Sequence, residues 1–237
     1  MRSSSHIVVL VAGIAILGLL PACAAGFGAP GPGAAGIVRV KGPGTYVEPG
    51  CVGWCRAVYR DGYVKRDGPG FKVMFGTKLG VTDGSFAARA ATLGTTGEPH
   101  LDVSFVPRSD RWAVTATAGY LFQTLWYDDA TVSYRGLAPS VAFHWGLRRR
   151  VYVHGGLGRG FGSLVVTPDG AEDGVSAGAG QHRALAGASF VFRRTPSIDF
   201  ALRVEANAYT TGEVPLGTER GALRGWGVTF QGLLSRF

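Results

Sequence analysis

From residue 70 onward the chain alternates apolar and polar side chains with a period of two, the pattern of strands with two unlike faces. In the first segment Phe71, Val73, Phe75, Thr77, Leu79 and Val81 share one face, and Lys72, Met74, Gly76, Lys78 and Gly80 share the other. Further alternating segments follow at 101–105, 112–122, 141–147, 151–157, 184–192, 198–208 and 226–234. The seventh is the clearest: Ile198, Phe200, Leu202, Val204, Ala206 and Ala208 form an unbroken apolar stripe, backed by Asp199, Arg203, Glu205 and Asn207. The pattern predicts eight strands and no long helix.

The connections predicted between them alternate in length. Segments 107–111, 148–150 and 194–197 read as tight turns, while 82–100, 124–131, 163–180 and 211–222 read as long loops rich in Gly, Asp, Glu and Thr. Residues 85–93 carry Phe86, Ala88 and Ala90, and are expected as loop or strand extension, because a ninth strand would put the barrel termini on opposite sides.

Alternation alone does not say which face is dry. A soluble lipocalin-like barrel keeps its apolar residues inside, and a membrane barrel shows them to lipid. Face composition favours the second. The apolar stripes hold the bulky Phe, Trp and Leu, whereas the opposite faces mix glycine with Lys72, Lys78, Asp102, His144, Arg183, Arg203 and Glu205. An eight-stranded lumen is just wide enough for side chains to fill it, so small residues and paired charges suit its interior. A lipid-facing Arg or Lys at midplane would cost roughly 2–4 kcal/mol. Trp112, Tyr120, Trp126, Tyr127, Trp145 and Trp226 fall near segment ends, where aromatic girdles lie.

Over 70–237 this pattern resembles the small OmpA/OmpX-like outer-membrane barrels. The resemblance implies an all-β fold, an eight-stranded antiparallel up-and-down transmembrane β-barrel in the outer membrane of a Gram-negative bacterium. It also implies outer-membrane lipids as surroundings, and insertion by the barrel-assembly machinery through a C-terminal strand that ends in Phe237. That phenylalanine is out of phase with Trp226, Val228 and Phe230, a mismatch that a bulge or frayed end reconciles.

Composition sharpens the picture. Of 237 residues 38 are glycine, more than twice the usual share of about 7%. With 46% hydrophobic and 17% charged residues the chain is neither disordered nor built of long helices. The net charge of +8 raises nucleic acid as a partner, but the basic residues are scattered and their largest cluster, Arg148 to Arg150, sits in a predicted turn. No nucleic-acid partner is expected. The glycine-rich run 155–162 lacks both the G-x-G-x-x-G spacing and a Walker lysine, so it reads as barrel wall, without a cofactor.

The N-terminus gives an address. Arg2 precedes the apolar run 7–20, too short for a comfortable transmembrane helix and the right length for an export signal over 1–22. Leu20-Pro21-Ala22-Cys23 resembles the lipobox of bacterial lipoproteins, which implies acylation of Cys23; Pro21 departs from that pattern, and Ala22-Cys23-Ala24 also suits ordinary signal cleavage. Residues 23–69 read as a periplasmic spacer rich in Gly, Pro and Ala. It contains Cys51 and Cys55, whose spacing suits a local disulfide in an oxidising compartment, with zinc as the rival.

Candidate chemistry is sparse. His144, His154 and His182 with Ser189 are the residues a lipid-modifying enzyme would draw on, but no catalytic motif joins them and no catalytic residue is assigned. Arg183, Asp199, Arg203 and Glu205 form the best constellation, as a charge-paired plug or, alternatively, an ion path. With Lys72, Lys78 and Asp102 they make the expected lumen charge network. The expectation is a lipid-anchored barrel with a structural or surface-interaction role through its long loops, its extracellular partner unknown. An outer-leaflet lipid-modifying enzyme and a lipid-anchored soluble carrier are the alternatives.

Overall fold

The computed structural model describes residues 45–47, 51–53, 56–60, 63–66 and 69–236, apart from 88, 92, 108–110, 149–150, 195–197 and 217–218. The signal segment, Cys23, Cys55 and Phe237 lie outside the described residues, as does the side chain of Asp199. Within the stretch expected as spacer, four short strands form: β1 (Thr45–Val47), β2 (Cys51–Gly53), β3 (Arg56–Arg60) and β4 (Tyr63–Arg66). Strands β1, β3 and β4 make a small sheet of their own, so this part of the spacer is not structureless.

The barrel wall begins with β5 (Gly70–Phe86), β6 (Arg89–Ala90), β7 (Leu93–Val106) and β8 (Trp112–Trp126). It continues through β9 (Ala130–Leu137), β10 (Ser140–Arg148), β11 (Val151–Pro168), β12 (Val175–Arg194) and β13 (Ile198–Thr211). A small hairpin, β14 (Val214–Leu216) and β15 (Glu219–Gly221), precedes the last wall strand, β16 (Leu223–Arg236). Both β9 and β10 lie between β8 and β11, so they are two halves of one wall strand, parted at Ala138-Pro139. Neighbours run antiparallel in chain order, and β16 closes the ring on β5 from Leu234↔Phe75 to Leu223↔Phe86. Below that, β2 pairs with the first residues of β5, Cys51 opposite Lys72. The result is the expected ring of eight strands. Residues 85–93 are no ninth strand: β6 folds back on the tip of β5, with Phe86 opposite Arg89.

Three of the four long loops are a correction: wall strands extend through most of 82–100, 124–131 and 163–180, leaving connections of 87–92, 127–129 and 169–174, while the fourth stands over 212–222 and holds the β14–β15 hairpin. The cause is a change of solvent along each strand. Near the tight turns the apolar residues point outward, as Phe71, Phe75, Val141, Phe143, Trp145, Leu157, Leu202 and Phe230 do. On β8 the outward series runs from Trp112 to Phe122, ten steps of about 3.3 Å. Tilted by about 40°, these span about 25 Å, the height of an outer-membrane apolar band.

Beyond that band the faces exchange. Arg135, His182, Thr210 and Arg224 point outward and are exposed. Meanwhile Phe86, Leu121, Leu125, Val132, Tyr134, Leu164, Tyr209 and Leu223 point inward and form an apolar cluster that also takes in Val214 of the hairpin. No register shift accompanies the change on β11, whose pairing with β12 is unbroken from Val151↔Phe190 to Val166↔Val175. The strand simply leaves lipid for water. There an inward apolar core is favoured by burial, and the phase of the hydrophobic pattern reverses.

Candidate functional site

The lumen is the candidate site, and it is layered. At the turn end, the outer wall carries an aromatic row: Phe71 lies 5.6 Å from Phe105, Phe105 6.0 Å from Trp112, and Trp112 6.2 Å from Phe143. Such a row marks a membrane interface. Inside at this end, Ser104 and Thr115 hydrogen-bond at 2.8 Å.

The middle layer holds the charges. Lys78, Asp102, Arg183, Arg203 and Glu205 are all buried on the inward face, as is Lys72. Their partners differ from the expected constellation. Arg183 donates through Nη2 to Glu98 Oε2 at 2.7 Å. Lys78 donates to Glu205 Oε1 at 3.0 Å and stands 3.6 Å from Glu98. Glu205 also contacts His154 Nε2 at 3.2 Å. Arg203 bonds Ser189 Oγ and Gln231 Oε1, each at 3.2 Å, and reaches Asp102 at 3.4 Å. Asp102 in turn accepts from Thr117 at 2.6 Å. His100 joins through Gln231 and the Glu98 carbonyl.

Arg203 and Glu205, neighbours on one face of β13, therefore have different direct partners, and Arg183 touches neither directly but joins Glu205 through Glu98 and Lys78. Its partner, Glu98, is the residue that sequence reasoning missed, because it lies in a segment read as loop. Its position two residues before His100 and four before Asp102, in phase with both, was the available signal. Three cations, Lys78, Arg183 and Arg203, face three carboxylates, Glu98, Asp102 and Glu205. Buried charges persist only when so compensated.

Space for this layer comes from glycine. A Cβ at Gly119 would fall 2.7 Å from Glu98 Oε1, and one at Gly187 would fall 2.6 Å from the His154 ring. The third layer is a polar collar in which Gln181 donates to Gln123 at 3.0 Å and Gln123 donates to Thr82 at 3.1 Å. Thr82 and Tyr209 share a 2.8 Å hydrogen bond. Above the collar sits the apolar cluster, with Leu125, Tyr134, Leu164 and Leu223 wholly buried. Tyr127, in the turn beside it, has its hydroxyl pushed well above the ordinary tyrosine range by burial, with Tyr209 and Asp83 adding to the effect.

Among the described residues the His and Ser candidates go to different places. His144 and His154 stack at 5.1 Å inside the lumen. Ser189 is buried and taken up by Arg203, and His182 points outward. Among the described residues no set of three or more His, Cys, Asp or Glu is arranged to hold a metal.

Among solved structures the chain is similar to Neisserial surface protein A, with a TM-score of 0.51 at 14% identity over 70% of this chain and 97% of that one. It matches more loosely the attachment invasion locus protein Ail of Yersinia pestis (TM-score 0.41, 12% identity, 68% and 97% covered). The outer membrane protein OprG of Pseudomonas aeruginosa is similar again (TM-score 0.36, 15% identity, 72% and 96% covered). No protein-family model matches the chain, and no curated protein does. At such identities the likeness concerns the fold: an eight-stranded outer-membrane β-barrel. An apolar exterior of membrane height around a polar, hydrogen-bonded lumen places that fold in the outer membrane of a Gram-negative bacterium.

Proposed function

We propose that this protein is a lipid-tethered outer-membrane barrel that acts as a structural or surface-interaction element through its outer end. The observation that carries the reading is the packing of the inward face: an ion layer, a polar collar and an apolar cluster of buried side chains lie in series along the barrel. The strands meanwhile continue past the apolar band and present polar faces and four connections to the medium. Activity is then directed outward, at what meets the cell surface.

In this reading Cys23 carries the lipid, residues 24–69 reach from the inner leaflet to β5, and Cys51 and Cys55 form a local disulfide. The last strand is the segment offered to the barrel-assembly machinery. The test is to express the full chain in a Gram-negative host, and to replace connections 87–92, 127–129, 169–174 and 212–222 with short Gly-Asn turns. Loss of cell attachment to immobilised glycans or matrix protein, with heat-modifiable gel mobility retained, is the expected result. Unchanged attachment would overturn the surface-interaction role. Mass spectrometry of the mature N-terminus decides the tether: diacylglyceryl-Cys23 is expected, and a free Ala25 start would remove it.

A further inference from the structure

The short strands that precede the barrel wall are lopsided in charge. Strands β1, β2, β3 and β4 contain Arg56, Arg60, Lys65 and Arg66 and no Asp or Glu. Between β3 and β4 stand only Asp61 and Gly62, the sequence signal of a two-residue hairpin, and Arg60 pairs with Tyr63. Register then sorts the cations. Residues paired across an antiparallel ladder share a face, and faces alternate along each strand. Arg56, Val58 and Arg60 of β3 therefore share one face with Lys65, which pairs with Val58, and with Tyr63. Thr45 and Val47 of β1 join that face, opposite Val58 and Arg56. Arg66, opposite Ala57, belongs to the other.

These strands are tied to the wall at the membrane surface. The pairing of β16 with β5 ends at Phe75, and β2 takes up that edge below it, setting Val52 opposite Phe71. Phe71 is exposed and belongs to the aromatic row at the tight-turn end, the periplasmic side of such barrels. Arg56 follows Gly53 of β2 by three residues, and Arg66 precedes Gly70 of β5 by four. Spans of that length reach at most about 11 and 14 Å. Both ends of the β3–β4 hairpin are thus held within little more than one Debye length, about 10 Å, of the headgroup layer. We propose that the face with Arg56, Arg60 and Lys65 is a docking surface for the anionic phospholipid headgroups of the inner leaflet. Charge complementarity and the two short tethers commit it to that occupant, because every cation held so close to an anionic surface adds to the attraction. The docking is independent of any lipid on Cys23.

The test uses the full chain in detergent micelles, titrated with phosphatidylglycerol or with phosphatidylcholine of the same acyl chains, and read by native mass spectrometry. Retention of phosphatidylglycerol about tenfold stronger than that of phosphatidylcholine is expected, and added salt should shrink the difference. Arg56→Gln with Arg60→Gln and Lys65→Gln should bring the two lipids to within about twofold, with heat-modifiable mobility retained. Lys65→Gln alone should give a graded part of that loss, and Arg66→Gln, on the other face, should leave the preference largely intact. Equal retention of both lipids by the unaltered chain would overturn the site without recourse to any variant. A preference that survives the triple substitution would overturn it as well, placing the selectivity on the barrel wall. Capture of the unaltered chain by isolated peptidoglycan sacculi, lost in the triple variant and accompanied by no lipid preference, would give the face to the cell wall and overturn the proposal.

Discussion

Glu98 and Gly119 face each other across the β7–β8 gap, and the carboxylate fills the volume a side chain at 119 would need, 2.7 Å from the position of its Cβ. Glu98 is held from the far side by Arg183 and Lys78, so it has little room to retreat. Gly119→Ala should therefore destabilise the barrel by about 1–3 kcal/mol, as overpacking does. Gly178→Ala, on β12 where nothing lies within 4 Å, should change the midpoint little. Urea unfolding in micelles, followed by heat-modifiable mobility, checks both.

The ion layer makes a prediction about coupling. Removing one member of the Arg183–Glu98 pair strands a buried charge and should cost about 3–5 kcal/mol. Arg183→Ala with Glu98→Ala should cost less than the sum of the single losses. Arg203→Ala with Glu205→Ala should come much closer to additive, because these residues have different direct partners. A double-mutant cycle on unfolding midpoints reads both. The unaltered barrel should give no stepwise conductance in planar bilayers, and a steady ion current would contradict the plug.

Much of this arrangement was legible in the alternation. The eight-strand count, the outward stripes of β5, β8 and β13, and the burial of Lys78, Asp102, Arg183, Arg203 and Glu205 follow from period and face composition alone. The outer third was not. There Val132, Tyr134 and Leu164 are apolar on the face that was polar lower down, and glycine interrupts the rows, so a search for one constant phase reads loop. Pairings across the lumen were also hidden. Period places Arg183 and Glu98 on inward faces, but which side chains meet depends on strand stagger, which alternation does not encode.

The membrane band can be probed directly. Val204, at the middle of the outward stripe of β13, faces lipid. Val204→Arg should cost about 2–4 kcal/mol of barrel stability in lipid vesicles. Thr210→Arg on the same face, beyond the band, should cost far less, and the contrast locates the outer boundary.

The outer apolar cluster should behave as a water-soluble core. Leu125 is wholly buried there, and Leu125→Ala should lower stability by about 2–5 kcal/mol, as core truncations do. Protease sensitivity of the outer connections on intact cells should rise in parallel.

The reversal of faces along β5, β9/β10, β11 and β16 has a consequence for alignment. In a strand of constant phase, a slip of one residue turns every side chain the wrong way, but a slip of two restores each facing. Such a strand knows its orientation and not its height. A strand whose code inverts partway carries a mark of absolute position. Sliding it by two sets its inversion point out of line with its neighbours, pushing an apolar inward residue among the charges, or a polar outward one into lipid. The same residues that cap the lumen thus act as a vernier, setting how deep each strand sits in the membrane as well as which way it faces.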